Sequence, residues 1–234
     1  MFFVDLFNFA QLRRRPRWIV PLAIAALLSA AMPAVHQAVF GPDLIAQAAS
    51  SQIEADVLHR PASPELREMI RSNIADRPLL ASGLLLAVVT ALLILLSAVV
   101  LNLSSLVVGA DVTPGQVLAI ASVAACAETV LRVLAFAIAA TVVAPERVVT
   151  FEWMGVGRSN FAFLEGFGAT ALWTTFVSSI DAVTIVSIAV ASIGLMMMDR
   201  TLSTLRAATA ASVWPALGIA LRVLVAWLTG FPLR

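Results

Sequence analysis

Polar residues are sparse along this chain and fall into clusters, leaving five apolar runs: Trp18–Phe40, Leu79–Val108, Val117–Val143, Ala169–Met198 and Ala207–Phe231. Each is longer than the ~20 helical residues that cross a hydrocarbon core. Backbone N–H and C=O groups find no partner in lipid, and the runs far exceed the length of barrel strands, so the pattern predicts membrane-spanning helices. Boundary signals flank them. Thr113-Pro114 offers an N-cap residue and a proline at the first helical position before the third run, and Pro78 does the same before the second. Pro33 and Pro215 lie inside the first and fifth runs, where kinks are expected.

The intervals between runs carry patterns of their own. Residues 1–17 read MFFVDLFNFAQLRRRPR, with Phe2, Phe3, Leu6, Phe7 and Ala10 at helical spacing ahead of Arg13, Arg14, Arg15 and Arg17. That is the pattern of an interfacial helix whose aromatic side chains enter the inner leaflet while the arginines meet anionic headgroups. The competing reading is a secretory signal with an apolar stretch from Ile19 and small residues near Ala34; Asp5 and the aromatic helix make it the poorer fit. Segment 41–77 holds amphipathic stretches around Leu44–Leu58 and Pro64–Asn73, expected as short helices on the outer surface. Segment 144–168 sets Phe151, Trp153, Phe161 and Phe163 among glycines, either a membrane-interface belt or a partner contact.

Composition agrees with lipid as the solvent. Apolar residues make up 61% of the chain and charged residues 12%, against about 45–50% and about 25% in soluble domains. A net charge of +1 provides no basic field for nucleic acid. The single cysteine, Cys126, rules out a disulfide framework or a cysteine-based metal site. The arginines set orientation, because cytoplasmic loops are enriched in basic residues near span ends. The cluster before the first run keeps the N-terminus inside. Threading five spans then puts 41–77 and 144–168 outside, the turns 109–116 and 199–206 inside, and the C-terminus in the periplasm of a bacterial inner membrane. The expected organisation is an all-α polytopic membrane protein: an interfacial helix over 1–17 and a five-helix domain over 18–231.

Four charged side chains interrupt the spans: Glu128 and Arg132 in the third, Asp181 in the fourth and Arg222 in the fifth. A charge at the bilayer centre costs ~3 kcal/mol even on lenient scales, so each needs a partner or a wet cavity. Counted from the inner ends of their spans, the four fall within about 6 Å of one another in depth at a rise of ~1.5 Å per residue. Their charges sum to zero, and Glu128 precedes Arg132 by four positions, the favourable order on one helix. Steps of three and four from these residues trace stripes of small and hydroxyl side chains: Ala121, Ala125, Ala135 and Ala139; Thr174, Ser178, Thr184, Ile188 and Ser192; Ala211, Pro215, Gly218, Ala226 and Thr229. Such stripes are what helix contacts in lipid favour. Glu128, Arg132, Asp181 and Arg222 are therefore expected as one intramembrane polar network, either an ion-pair lock or a substrate or proton path.

Catalysis is not expected. No nucleophile sits beside a base, no glycine-rich phosphate loop or metal-ligand set is present, and an arginine at the depth of each carboxylate holds it ionised. His36, His59, Glu54 and Asp56 show no ligand spacing, so neither metal nor cofactor is expected. A transporter's central site is usually marked by inverted repeats and interrupted spans; neither a repeat nor an interrupted pair is visible here.

The stretch FVSSIDAVTIVSIAVASIGLMMMDRTLSTLRAATAASVW (176–214), with the basic aromatic N-terminal segment and the five-span plan, resembles the Ypt-interacting protein (Yip) domain family in its bacterial form. The matching features are an Asp opening the fourth span (Asp181), a small-residue end near Gly194, a short basic turn with Arg200 and Arg206, and an Ala-rich fifth span with Trp214. The aromatic residues that follow the Asp in many members are replaced here by Ala182 and Val183, which argues against the eukaryotic role with small GTPases. The resemblance implies a membrane helper, some bacterial members belonging with exporter systems. The expected function is thus a non-enzymatic scaffold or accessory subunit of a larger membrane complex, with the lipid bilayer and other integral membrane proteins as partners, in a hetero-complex or homo-oligomer. The alternative is a small proton-coupled transporter using the Glu/Arg/Asp/Arg layer.

Overall fold

The computed structural model describes residues 17–54, 61–76, 78–142 and 170–229, and all the regular elements among them are helices. They are α1 (Ile19–Ile53), α2 (Pro64–Ala75), α3 (Leu79–Val107), α4 (Pro114–Val142), α5 (Ala171–Ser179), α6 (Ala182–Met198) and α7 (Thr204–Thr229). Four of them, α1, α3, α4 and α7, are long and apolar enough to cross a membrane. The expected continuous fourth span, 169–198, is instead two helices, α5 and α6, parted at Ile180–Asp181.

Local chemistry explains the helix ends. Thr113 and Gln116 form a reciprocal box at the start of α4: the Gln116 N–H donates to Thr113 Oγ1 at 3.4 Å, and the Thr113 N–H donates to Gln116 Oε1 at 2.9 Å. Ser63 caps α2 by accepting from the Leu66 N–H, with Pro64 at the first helical position. Donation by the Glu65 backbone N–H, and then by Ser63, holds the Glu65 carboxyl below its ordinary range. Gly109 closes α3 with φ +76°, while the Ala110 N–H reaches back to the Ser105 carbonyl at 2.9 Å.

The break in α1 lies at Gly41, with φ +72° and ψ +157°, and not at Pro33, whose neighbourhood stays helical. Pro42 disfavours helical geometry for the residue before it, and only glycine reaches this backbone region readily. The chain therefore bends at 41 and continues helically to Ile53, absorbing the first part of the expected outer stretch Leu44–Leu58.

α4 sits at the centre. It packs against α1, α3 and α6, while α7 packs against α3, α5 and α6, and α2 folds back onto α1. The largest apolar cluster joins Leu101 of α3, Val117, Ile120 and Val123 of α4, Leu195 of α6, and Ala207 and Ala210 of α7. Trp18 and the turn residues Val108, Val112 and Leu202 belong to the same cluster, so the start of α1 and both tight turns share one end of the bundle. Phe40, Ile45 and Phe136 form a separate cluster with Ile74 nearby, at the opposite end. Small residues allow the close contacts: an added Cβ on Gly83 would lie 2.5 Å from the Ala30 carbonyl oxygen, and Ser104 Oγ donates across to the Ala210 carbonyl at 2.9 Å.

Candidate functional site: a polar cluster around Arg132

Glu128 and Arg132 sit one turn apart at the middle of α4. Arg132 Nη2 donates to Glu128 Oε1 at 2.8 Å, and Nε donates to the same oxygen at 3.2 Å. Its other terminal nitrogen, Nη1, lies 2.7 Å from Asp181 Oδ2. One guanidinium thus holds two carboxylates from two elements.

The interruption between α5 and α6 is what presents Asp181. Its backbone is extended (φ −130°, ψ +132°), it is the N-cap of α6, and its Oδ1 accepts the Val183 N–H at 2.8 Å. Aspartate competes well for free N–H groups and is stabilised by the positive end of a helix dipole, so the sequence Ser-Ser-Ile-Asp restarts a helix here. The two oxygens divide the work: Oδ1 caps α6 and Oδ2 faces Arg132. The Asp181 side chain is only 6% exposed, whereas those of Glu128 and Arg132 are each 31% exposed.

Arg222 stands apart from this group. It is half-buried on α7 and makes no ion pair among the described residues, which corrects the expectation that it too would contact a carboxylate. Equal depth along two helices says nothing about azimuth, and α7 turns its buried positions Ala207, Ala210, Ala211 and Ala226 inward. Gly218, expected on that inward stripe, is exposed and an added Cβ there would meet nothing within 4 Å. Among the described residues Glu128 and Asp181 share Arg132.

Glu128 also lines a cavity of about 260 Å³ bounded by α1, α3, α4, α6 and α7. Its wall carries the hydroxyl residues Ser29, Thr90, Ser97, Thr129 and Ser187, together with Trp214 and Pro215. These hydroxyl residues were not anticipated as a group, although Thr90 and Ser97 recur seven residues apart on α3, a spacing that puts both on one face. Asp199 was also missed. Its Oδ2 accepts the Asp111 N–H at 3.0 Å and its Oδ1 accepts from the Thr201 N–H and hydroxyl, latching the two tight turns together.

Comparison with known proteins finds no family model, no curated protein and no solved structure that matches this chain.

Of the other residues singled out from sequence, Arg17 is exposed at the end of the bundle that holds the tight turns. Phe2, Phe3, Phe7, Arg13, Arg14 and Arg15 lie outside the described residues, as do Phe151, Trp153, Phe161 and Phe163. Glu54 pairs with Arg67 at 2.8 Å, and His36 Nδ1 lies 2.9 Å from the Met32 carbonyl with its ring 4.6 Å from that of Phe136. No group of three or more potential metal ligands occurs among the described residues.

Proposed function

We propose that this protein is an integral membrane scaffold or accessory subunit that acts through its surfaces, its polar cluster serving to lock the bundle. The observation that carries this reading is that Arg132 is engaged by both Glu128 and Asp181 while Asp181 also caps α6. Charges so committed fix α4 against the broken helix pair and leave partner recognition to the outer faces and loops. The Yip-like pattern of Asp181, the Arg200–Arg206 turn and Trp214 supports the same reading as a resemblance.

In this reading the chain crosses the membrane five times, the fourth crossing being α5 and α6 in tandem. Support comes from both pieces lying along α7 and from exposed Arg17, Arg200 and Arg206 at or beside the end that holds the start of α1 and the two turns. That basic end faces the cytoplasm. The segment 1–17 lies flat on the inner leaflet of a bacterial inner membrane, and the C-terminus is periplasmic.

A second reading, a small proton-coupled transporter, is favoured by the interrupted helix at Asp181 and by the cavity that reaches Glu128. Reconstitution of the protein alone into liposomes separates the two. The scaffold reading expects no proton-coupled uptake and a defined integral membrane partner that co-purifies in mild detergent. Robust uptake that vanishes in Asp181→Asn while the bundle remains folded would overturn it.

A further inference from the structure

Two features of the cavity beside Glu128 are not used by the ion-pair lock. The first is Glu128 Oε2. Both contacts from Arg132 fall on Oε1, so the second oxygen is an acceptor with no hydrogen-bond partner among the described residues. The second is the state of two wall hydroxyls. Thr129 donates its proton to the Ala125 carbonyl at 2.8 Å and Ser97 donates to the Ile94 carbonyl at 2.8 Å. With those protons committed to their own helices, the oxygens can only accept. These two hydroxyls can therefore only accept from whatever enters, while Ser29, Thr90 and Ser187 can turn to accept as well.

Charge points the same way. Glu128 puts a carboxylate on the wall, and Arg132, which pairs with it through Oε1, is not itself a wall residue. Arg222 is not part of the cavity wall; it lies seven positions beyond Pro215, about 10 Å along α7 at 1.5 Å per residue. The ring of Trp214 adds a surface on which a cation is favoured. A volume of about 260 Å³ admits a ligand of few heavy atoms and not a drug-sized one.

We propose that this cavity is a binding site for a small protonated primary amine, whose N–H groups donate to Glu128 Oε2 and to the hydroxyl oxygens of Thr129 and Ser97. The site needs N–H donors as well as charge. A quaternary ammonium of similar size satisfies only the charge, and a neutral alcohol satisfies only the shape. The inference is independent of the assembly reading, since partner capture at the outer faces does not use the cavity.

The test is calorimetric titration of the full-length protein in phosphatidylcholine nanodiscs with ethylammonium, tetramethylammonium and propan-1-ol. Ethylammonium should bind saturably, with tetramethylammonium and propan-1-ol weaker by about tenfold or more, the loss expected of charge-assisted hydrogen bonds. Glu128→Gln should weaken ethylammonium by a similar factor. Because that change also removes an Arg132 partner, Ser187→Leu, which fills the cavity without touching the ion pairs, should abolish binding in a bundle that unfolds normally. Repeating the titration in nanodiscs containing phosphatidylethanolamine distinguishes the source: a lower apparent affinity there assigns the site to a lipid amine, and an unchanged one assigns it to a free amine. Absence of saturable binding to the wild type, or equal binding of all three probes, or full binding by Ser187→Leu, would overturn the proposal.

Discussion

Arg132 of α4 and Asp181 at the start of α6 meet at 2.7 Å, and the carboxylate that holds the guanidinium also starts the helix that carries it. This double duty makes Asp181 the residue whose replacement separates charge from capping. Asp181→Asn keeps a good N-cap while stranding part of the Arg132 charge; Asp181→Ala loses both. The alanine variant should be the less stable by about 1 kcal/mol, the usual worth of a cap. Unfolding of the purified variants in graded denaturing detergent reads the difference directly, and equal stabilities would mean the cap contributes nothing.

Arg132→Met should cost up to about 3–5 kcal/mol, because it takes the guanidinium away from the buried Asp181 and the half-buried Glu128. The triple replacement Glu128→Gln, Arg132→Met, Asp181→Asn should recover a large part of that loss, since no uncompensated charge remains. A triple variant as unstable as Arg132→Met alone would contradict the lock.

Two glycines should respond with opposite sign. Gly83→Ala forces a methyl to within 2.5 Å of the Ala30 carbonyl oxygen, backbone against backbone, and should separate α1 from α3 at a cost of about 1–3 kcal/mol. Gly218→Ala meets open space and should be neutral or stabilise by up to about 1 kcal/mol through helix propensity. Melting of the two variants side by side checks the pair.

Ser122 is fully buried on α4, and its hydroxyl has no hydrogen-bond partner among the described residues. Replacement by alanine removes a desolvated polar group and should stabilise the bundle by about 1 kcal/mol. A destabilised Ser122→Ala would reveal a contact, such as a bound water, that the hydroxyl serves.

Asp199→Ala should loosen the end of the bundle where the tight turns meet, because it frees the Asp111 and Thr201 N–H groups at once. The expected cost is about 1–3 kcal/mol. Hydrogen exchange should show the loss concentrated in residues 108–113 and 199–203, and loss spread evenly over the helices would count against a local latch.

Much of this molecule follows from one-dimensional regularities. The apolar runs give the long helices because lipid leaves backbone groups no other partner. Thr113-Pro114 and Ser63-Pro64 mark helix starts because capping needs only neighbouring residues, and the Glu128–Arg132 pair is implied by a spacing of four on one helix. Those are local facts, and sequence contains them. Three features are hidden from the apolar runs, two of them because a short local signal is averaged away and one because it is not local. The break at Asp181 disappears in any hydropathy window, since one extended residue barely changes a mean over twenty, though Ser178-Ser179-Ile180-Asp181 holds the cap that explains it. The bend in α1 follows the Gly41-Pro42 pair and spares Pro33, because the glycine's left-handed φ decides it. Arg222 shares the depth of the other charges but not their company, for depth is counted along one helix while contact depends on how each helix is rotated against its neighbours. Rotation is set by packing between helices distant in the chain, such as Gly83 on Ala30 and Ser104 on Ala210. So the sequence by itself determined the solvent, the helices and the one charge pair that lies within a helix, and the tertiary structure alone decided that Asp181 joins that pair and Arg222 does not, because contacts between helices depend on how they are rotated.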